Sequence, residues 1–263
     1  MTIRSRRRGQ ARARPPRAVR YKSGMTETGQ RRWQLGAVVV LAAVVVAIAV
    51  AVSSGGSAPA LVPGHPVPHA AEIGALLAGV PERGVALGAP DAPVTLIEFA
   101  DLQCPTCAAF ANGTLPTLIR REVRPGRLRI VFAPLTFVGS DSRRGAEAAL
   151  AAGEQNRLWP FVELFFANQR EENSGYVTDR FLTALAQGAG QVNMARALAA
   201  RAAPAITGSL ASTAALAARL QISSTPSFAL SRTGAAPVSF IPADLQASAF
   251  TAAIGRLASP DVR

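Results

Sequence analysis

Cysteine and histidine are nearly absent, with two of each in 263 residues. His65 and His69 both fall in a Pro-rich stretch, where a solvated side chain is the simpler expectation than a ligand. Zinc takes about four N or S ligands, and Cys104 and Cys107 with two distant histidines do not supply them, so no metal is expected. Internal repeats are lacking too. Most of the chain also lacks net charge. Of the formal +12, residues 1–32 hold eleven Arg or Lys against the single acid Glu27, a net of +10. Residues 33–263 carry only +2, so a basic, nucleic-acid-binding reading is confined to the tail. The length allows one good-sized domain with extras.

The tail, residues 1–34, has almost no apolar periodicity and is expected to be disordered. Arginine runs neutralise phosphate, but the next segment argues against a nucleic acid as the partner. Leu35 to Val52 is eighteen consecutive Leu, Gly, Ala, Val and Ile residues, with Trp33 at its leading edge. That is about long enough to span a bilayer. Arg31 and Arg32 precede it, so the positive-inside rule puts the N-terminus in the cytoplasm and the rest outside. The tail then serves as a topological anchor beside anionic lipid. Ala58-Pro-Ala60 is a candidate cleavage site, but the apolar run exceeds a usual signal core. Arg31-Arg32-Trp-Gln-Leu35 is a poor twin-arginine match, with Gln34 where an aromatic is usual. The expectation is an uncleaved, single-pass cell-membrane anchor over residues 35–52. Residues 53–81, rich in Gly, Ser, Ala and Pro, read as a tether.

What is present centres on Val94 to Cys107. Val94 to Phe99 is mostly β-branched or aromatic, as in a strand buried on both faces. A short turn follows, then a helix starting at Cys104, with Pro105 suited to the first turn where its missing N–H is no loss. The helix N-terminus offers partial positive charge and unpaired N–H groups, which stabilise a thiolate on Cys104. Cys107, three residues on, shares its face and is close enough to close a disulfide ring or attack a mixed disulfide. Cys104 is expected to be the exposed attacking thiol and Cys107 the buried resolving one. A structural disulfide and half of a zinc site are the other readings of such a pair.

The remaining elements set this stretch in an α/β domain over residues 82–260. Val85-Ala-Leu reads as a first edge strand. The helix from Cys104 is weakened at Asn112-Gly113 and kinked or restarted by Pro116. Leu128 to Ala133 is a second buried strand, giving a parallel right-handed crossover. Ninety-two residues then separate Ala133 from Pro226, far more than a crossover needs. They read as helices over 142–152, 158–168, 178–187, 191–202 and 206–220, the first a likeness of Ala-rich helices generally and the third opening on a capping Thr178. Pro226 to Leu230 and Val238 to Ile241 read as an antiparallel hairpin. Leu245 to Leu257 closes the chain as an amphipathic helix.

Glu98-Phe-Ala-Asp-Leu-Gln-Cys-Pro-Thr-Cys107 after an apolar strand resembles the DsbA-like branch of the thioredoxin superfamily, and Ile222-Ser-Ser-Thr-Pro226-Ser-Phe resembles that family's cis-proline loop. The resemblance runs from about Val85 to Leu257. It implies a thioredoxin fold, a central mixed sheet flanked by helices, with a helical subdomain inserted over about 139–221. It implies a cis bond at Pro226, a loop packed on the dithiol, and Thr225 offering its backbone to an extended substrate. It also implies that Glu98 lies buried beneath the dithiol, with a raised pKa and a part in relaying the Cys107 proton. An exposed edge-strand acid is the other reading of Glu98. Asp101 reads as a turn residue. Between the cysteines stand Pro105 and Thr106, where the family's strongest oxidants carry Pro-His. A hydroxyl stabilises a thiolate less than an imidazole does, so a reduction potential more negative than theirs is expected.

The function so implied is a membrane-anchored, extracytoplasmic thiol:disulfide oxidoreductase whose only cofactor is its own Cys104–Cys107 disulfide. Its partners are cysteine-containing extracytoplasmic proteins and a membrane redox partner that recycles the dithiol; no nucleic acid is expected. A reductase of the same fold and a tethered binding module with a structural dithiol are the rival readings.

Overall fold

The computed structural model describes residues 60–190 and 192–259. The basic tail, the expected membrane span over 35–52 and the first part of the tether lie outside the described residues. Among the described residues no helix is long and apolar enough to cross a membrane.

Helix α1 (Ala70–Leu77) comes first, followed by two short strands, β1 (Glu82–Arg83) and β2 (Ala86–Leu87). Strand β3 (Val94–Ala100) leads into α2 (Pro105–Ala109), a π-turn over Phe110–Thr114, α3 (Leu115–Leu118) and a second π-turn over Ile119–Val123. Strand β4 (Leu128–Pro134) precedes five helices: α4 (Ser140–Gly153), α5 (Leu158–Ala167), α6 (Asp179–Gly188), α7 (Met194–Ala200) and α8 (Pro204–Arg219). Strands β5 (Ser227–Arg232) and β6 (Val238–Phe240) and helix α9 (Ala247–Ala258) complete the domain.

The six strands form one mixed sheet in the order β1-β2-β4-β3-β5-β6. β3 and β4 are parallel, and the other neighbours are antiparallel. The parallel pair sits at the centre and is buried on both sides, which is why β3 reads as a nearly continuous apolar run. Successive strand residues point to opposite faces, and the two faces meet different cores. Val94, Leu96 and Ala100 join Ile130, Phe132, Phe228 and helices α2, α5 and α9 in the larger one. Phe99, Ala133 and Ala229 pack with Leu216 and Ala217 of α8 and with Leu220 just after it in the smaller one.

Several expectations need revision. The segment read as a tether contains α1, whose Ile73, Leu76 and Leu77 pack against the main core. The first edge strand is two residues long on each side of a turn, with β1 outermost. The helix after Cys104 is weakened at Asn112-Gly113 and restarts at Thr114 with Pro116 in its first turn, as the sequence suggests. Winding widens to a π-turn over Phe110–Thr114, and the helical path continues through α3 to Val123. The burial of Phe110, Ala111, Thr114, Leu115 and Leu118 holds that path together. Thr178 caps α6 as its sequence suggests, its side chain accepting from Phe181 N at 3.2 Å.

Helix α5 is the most buried of the five, with Leu158, Trp159, Phe161, Val162 and Leu164 at 1% exposure or less. It has no capping side chain of its own. Glu82 of β1 accepts from Trp159 N at 3.0 Å instead, and the Trp159 indole donates to Val85 O at 3.2 Å. A carboxylate at a helix N-terminus also suits the helix dipole.

Candidate active site: a dithiol at a helix start

Cys104 is the N-cap of α2, with extended backbone (φ −71°, ψ 120°), and Pro105 occupies the first helical turn. Its N–H donates to Asp101 O at 3.0 Å and its carbonyl accepts from Ala108 N at 3.1 Å. Both cysteines are free thiols. Cys104 is 8% exposed and Cys107 is fully buried. The attacking sulfur is thus less open than expected, yet it is the one of the pair with surface to offer. Pro105 and Thr106 between them are exposed.

The two sulfurs are driven in opposite directions. A hydrogen bond from the Cys107 thiol, assisted by the Thr225 side chain and by the backbone N–H groups of Cys107 and Thr106, lowers Cys104 to about 5 against the opposition of burial. The same bond, with burial and the charge on Cys104, raises Cys107 far above an ordinary thiol. One sulfur is a thiolate at neutral pH and the other stays protonated.

The Thr225–Pro226 bond is cis. As a thiol, Cys104 Sγ donates to the Thr225 carbonyl at 3.4 Å, 121 residues away in sequence. Register carries the loop there: Phe99 of β3 stands opposite Ser227 of β5, so the end of β3 and the start of β5 meet beside α2. Beyond Pro226 lies a cavity of about 340 Å³ lined by Ile222, Phe228, Phe240, Ile241 and Leu245, among others. Ile241 is 89% exposed on its rim.

Glu98 is 1% exposed, which rules out the exposed edge-strand alternative. It shares its sheet face with Leu96 and Ala100, on the side of α2, and stands between Phe132 of β4 and Phe228 of β5. Phe228 meets Phe110, one turn past Cys107, at a ring separation of 4.9 Å. Neither Glu98 oxygen has a hydrogen-bond partner. Burial raises its carboxyl to about 8, so Glu98 is largely protonated at neutral pH.

Asp101 does more than end a turn. Fully buried, it accepts from Gln103 N at 2.9 Å, Phe137 N at 2.7 Å and Val138 N at 3.0 Å. It thereby ties the dithiol loop to the chain leaving β4. Gln103 extends the tie into the insert, donating to Ser142 Oγ at 3.0 Å and accepting from Asn173 N at 2.7 Å. Gln169 donates to Leu102 O at 2.8 Å and Cys104 O at 3.1 Å. Gly139 has no side chain because a Cβ there would fall 2.0 Å from Asn173 Oδ1. Sequence reasoning passed over Gln103, Gln169 and Asn173, since a polar residue in a loop carries no periodic signal. Among the described residues no group of three or more His, Cys, Asp or Glu could hold a metal ion.

The thioredoxin family model matches residues 81–238 of the chain, spanning the dithiol, the insert and the cis-proline loop. The chain belongs to the thioredoxin family. Within that family it is similar to the probable disulfide bond formation protein D of Bacillus cereus, 32% identical over 101 residues, 38% of this chain and 47% of that protein. The chain thus spans about half the length of that relative. Among solved structures, oxidised BdbD from Bacillus subtilis matches with a TM-score of 0.58 at 20% identity, over 76% of this chain and 99% of that one. Wolbachia pipientis alpha-DsbA1 matches with a TM-score of 0.55 at 20% identity, over 66% and 90%. At such identities the structures speak to the fold alone. They give this thioredoxin-family chain the DsbA-like arrangement, with a helical insert between β4 and β5.

Proposed function

We propose that this chain is a membrane-anchored, extracytoplasmic thiol:disulfide oxidoreductase that oxidises cysteine pairs in secreted or envelope proteins. The observation that carries it is the opposed setting of the two sulfurs, a stabilised thiolate on Cys104 beside a Cys107 held as a thiol. A stabilised thiolate favours the reduced dithiol, and so makes the corresponding disulfide an oxidant. The names of the disulfide bond formation relatives agree with that direction.

In the oxidised enzyme a substrate thiolate attacks the Cys104 sulfur. A substrate–Cys104 bond forms, the Cys104–Cys107 bond breaks, and its electron pair leaves on Cys107, which takes a proton. A second substrate thiolate then attacks the first substrate sulfur. The substrate disulfide forms, and the electron pair departs on Cys104, where the helix N-terminus receives it. The substrate is oxidised by two electrons and the enzyme is reduced by two. The cavity beyond Pro226, apolar at Ile222, Phe228, Phe240 and Leu245 and polar at Ser223, Ser224 and Ser239, seats an extended segment against the Thr225 backbone, with specificity set by side-chain fit. A disulfide-bearing membrane partner returns the dithiol to its oxidised state, and residues 35–52 hold the domain beside it.

The test is the redox equilibrium of the full chain in detergent with glutathione, together with oxidation of a reduced, unfolded protein. Cys104→Ser is expected to abolish exchange. Exchange surviving that substitution would leave a binding module as the better reading. A potential near the roughly −270 mV of thioredoxin would reverse the direction to that of a reductase.

A further inference from the structure

Glu163 of α5 is, like Glu98, Glu122 and Asp141, a buried acid with at least one unpartnered oxygen. It is 4% exposed, and its Oε1 has no hydrogen-bond partner, like both oxygens of Glu98. The fold brings Glu98 and Glu163 together. Phe132, opposite Glu98 on β4, meets Trp159 of α5 at a ring separation of 6.2 Å. Glu163 lies one helical turn beyond Trp159, on the same helix face. Glu163 also lines a cavity of about 230 Å³ with His69, Glu72, Asn112 and Arg120, among others. It therefore stands between the sheet-side acid and a pocket that water can enter.

We propose that Glu98 and Glu163 act as one carboxyl pair that carries the Cys107 proton between the buried dithiol and this cavity. This rests on the oxidoreductase reading and deepens it. When substrate thiolate opens the Cys104–Cys107 bond, the electron pair leaves on Cys107. Glu98 gives up its proton to that sulfur. The pair then holds one proton in place of two, and Glu163 is refilled from water in the cavity, for a net uptake of one proton. In reoxidation the proton leaves by the same route. Burial disposes both acids to stay protonated, and a charge on Glu98 raises Glu163 further, so Glu98 is the first to give up its proton. The groups facing the route are Cys107 at one end and His69, Glu72 and Arg120 at the other; Phe132 and Phe228 flank Glu98 and contribute no charge.

The full chain in detergent tests this by carboxyl infrared difference titration from about pH 5 to pH 10 and by the pH profile of disulfide exchange. The two acids are expected to lose their protons in two separated steps, and Glu98→Gln to move the upper step down, since the repelling charge is gone. Glu98→Gln and Glu163→Gln are each expected to slow exchange about 100-fold and to flatten its pH profile. The double variant is expected to be no slower than either, and Glu163→Asp to restore the profile. An upper step unmoved by Glu98→Gln, or a Glu163→Gln profile like that of the parent, would overturn the pair. Should Glu163→Gln not fold, the parent's titration still decides, because independent single steps exclude coupling. A parent without exchange activity would overturn the oxidoreductase reading instead, leaving the titration to decide the pair.

Discussion

Cys104 Sγ and the Thr225 carbonyl oxygen stand 3.4 Å apart, joined across 121 residues of sequence that include the whole helical insert. The thiol form donates to that carbonyl, and the thiolate form takes a hydrogen bond from the Thr225 side chain. The contact therefore changes character as the sulfur changes charge. Thr225→Val keeps the carbonyl and removes the hydroxyl. The thiolate loses one of its donors, so the Cys104 pKa should rise from about 5, by about one unit. Ultraviolet thiolate absorbance followed against pH measures the shift, and an unchanged midpoint would show that the side chain contributes nothing.

The same thiolate sets the redox potential and its pH dependence. A value of about 5 for Cys104 lies between the roughly 3.5 of DsbA and 7 of thioredoxin. One pKa unit corresponds to about 30 mV in a two-electron couple. Scaled from the two reference potentials, the expected value lies between about −165 and −210 mV at neutral pH. Above about pH 5 reduction takes up one proton and the potential falls about 30 mV per pH unit. Below it two protons are taken up and the slope doubles. Glutathione equilibria across that range would show the break. The reduced protein's stability follows the same curve. The thiolate's contribution is complete above the unfolded thiol's value of about 9 and is lost as pH falls through about 5.

Thr106 is exposed between the cysteines and reaches Cys104 through its backbone N–H. Thr106→His adds a cation beside the thiolate without disturbing the core. The Cys104 pKa should fall below 5 and the potential move positive by about 30 mV for each unit. A potential unchanged by the imidazole would show that the helix N-terminus and Cys107 already fix the thiolate.

Asp101 anchors the chain leaving β4 through Phe137 N and Val138 N. Asp101→Ala would leave those donors and Gln103 N without their acceptor in a buried site. The cost should be about 3 kcal/mol, read as a lower denaturant midpoint with an unchanged slope. Exchange with protein substrates should fall as well, because the loop that carries Cys104 is no longer fixed.

The dithiol, the cis-proline loop and the order of strands and helices were legible because each has a local signature. Val94 to Phe99 is apolar at every position but two, Pro105 marks a helix start, and Thr178 is a cap. Helix α1 was hidden because Pro, Gly and Ser around Ala70–Leu77 set the composition of the whole stretch. The change of winding at Gly113 and Pro116 was legible, whereas the continuation of the path to Val123 was less so, because it rests on the burial of Phe110, Leu115 and Leu118 in the core. Glu163 was invisible for a different reason. A lone acid in an apolar helix looks like an exposed position until the helix is seen to be buried all round.

Glu98 should trade stability for chemistry. Its carboxyl is raised from about 4.5 to about 8 by burial, so the folded state binds a proton that the unfolded state releases between those values. Stability therefore declines as pH rises from about 4.5 to about 8, and is level on either side. Glu98→Leu places an apolar side chain between Phe132 and Phe228 and abolishes that decline. At pH 7 it should raise unfolding free energy by up to about 3 kcal/mol, with little change at pH 4. Disulfide exchange should meanwhile slow, because the proposed proton relay has lost the Glu98 carboxyl. Urea unfolding at the two pH values, set beside the exchange rate, separates the effects. A variant stabilised equally at both would show that the Glu98 carboxyl titrates in the folded protein where it does in the unfolded one.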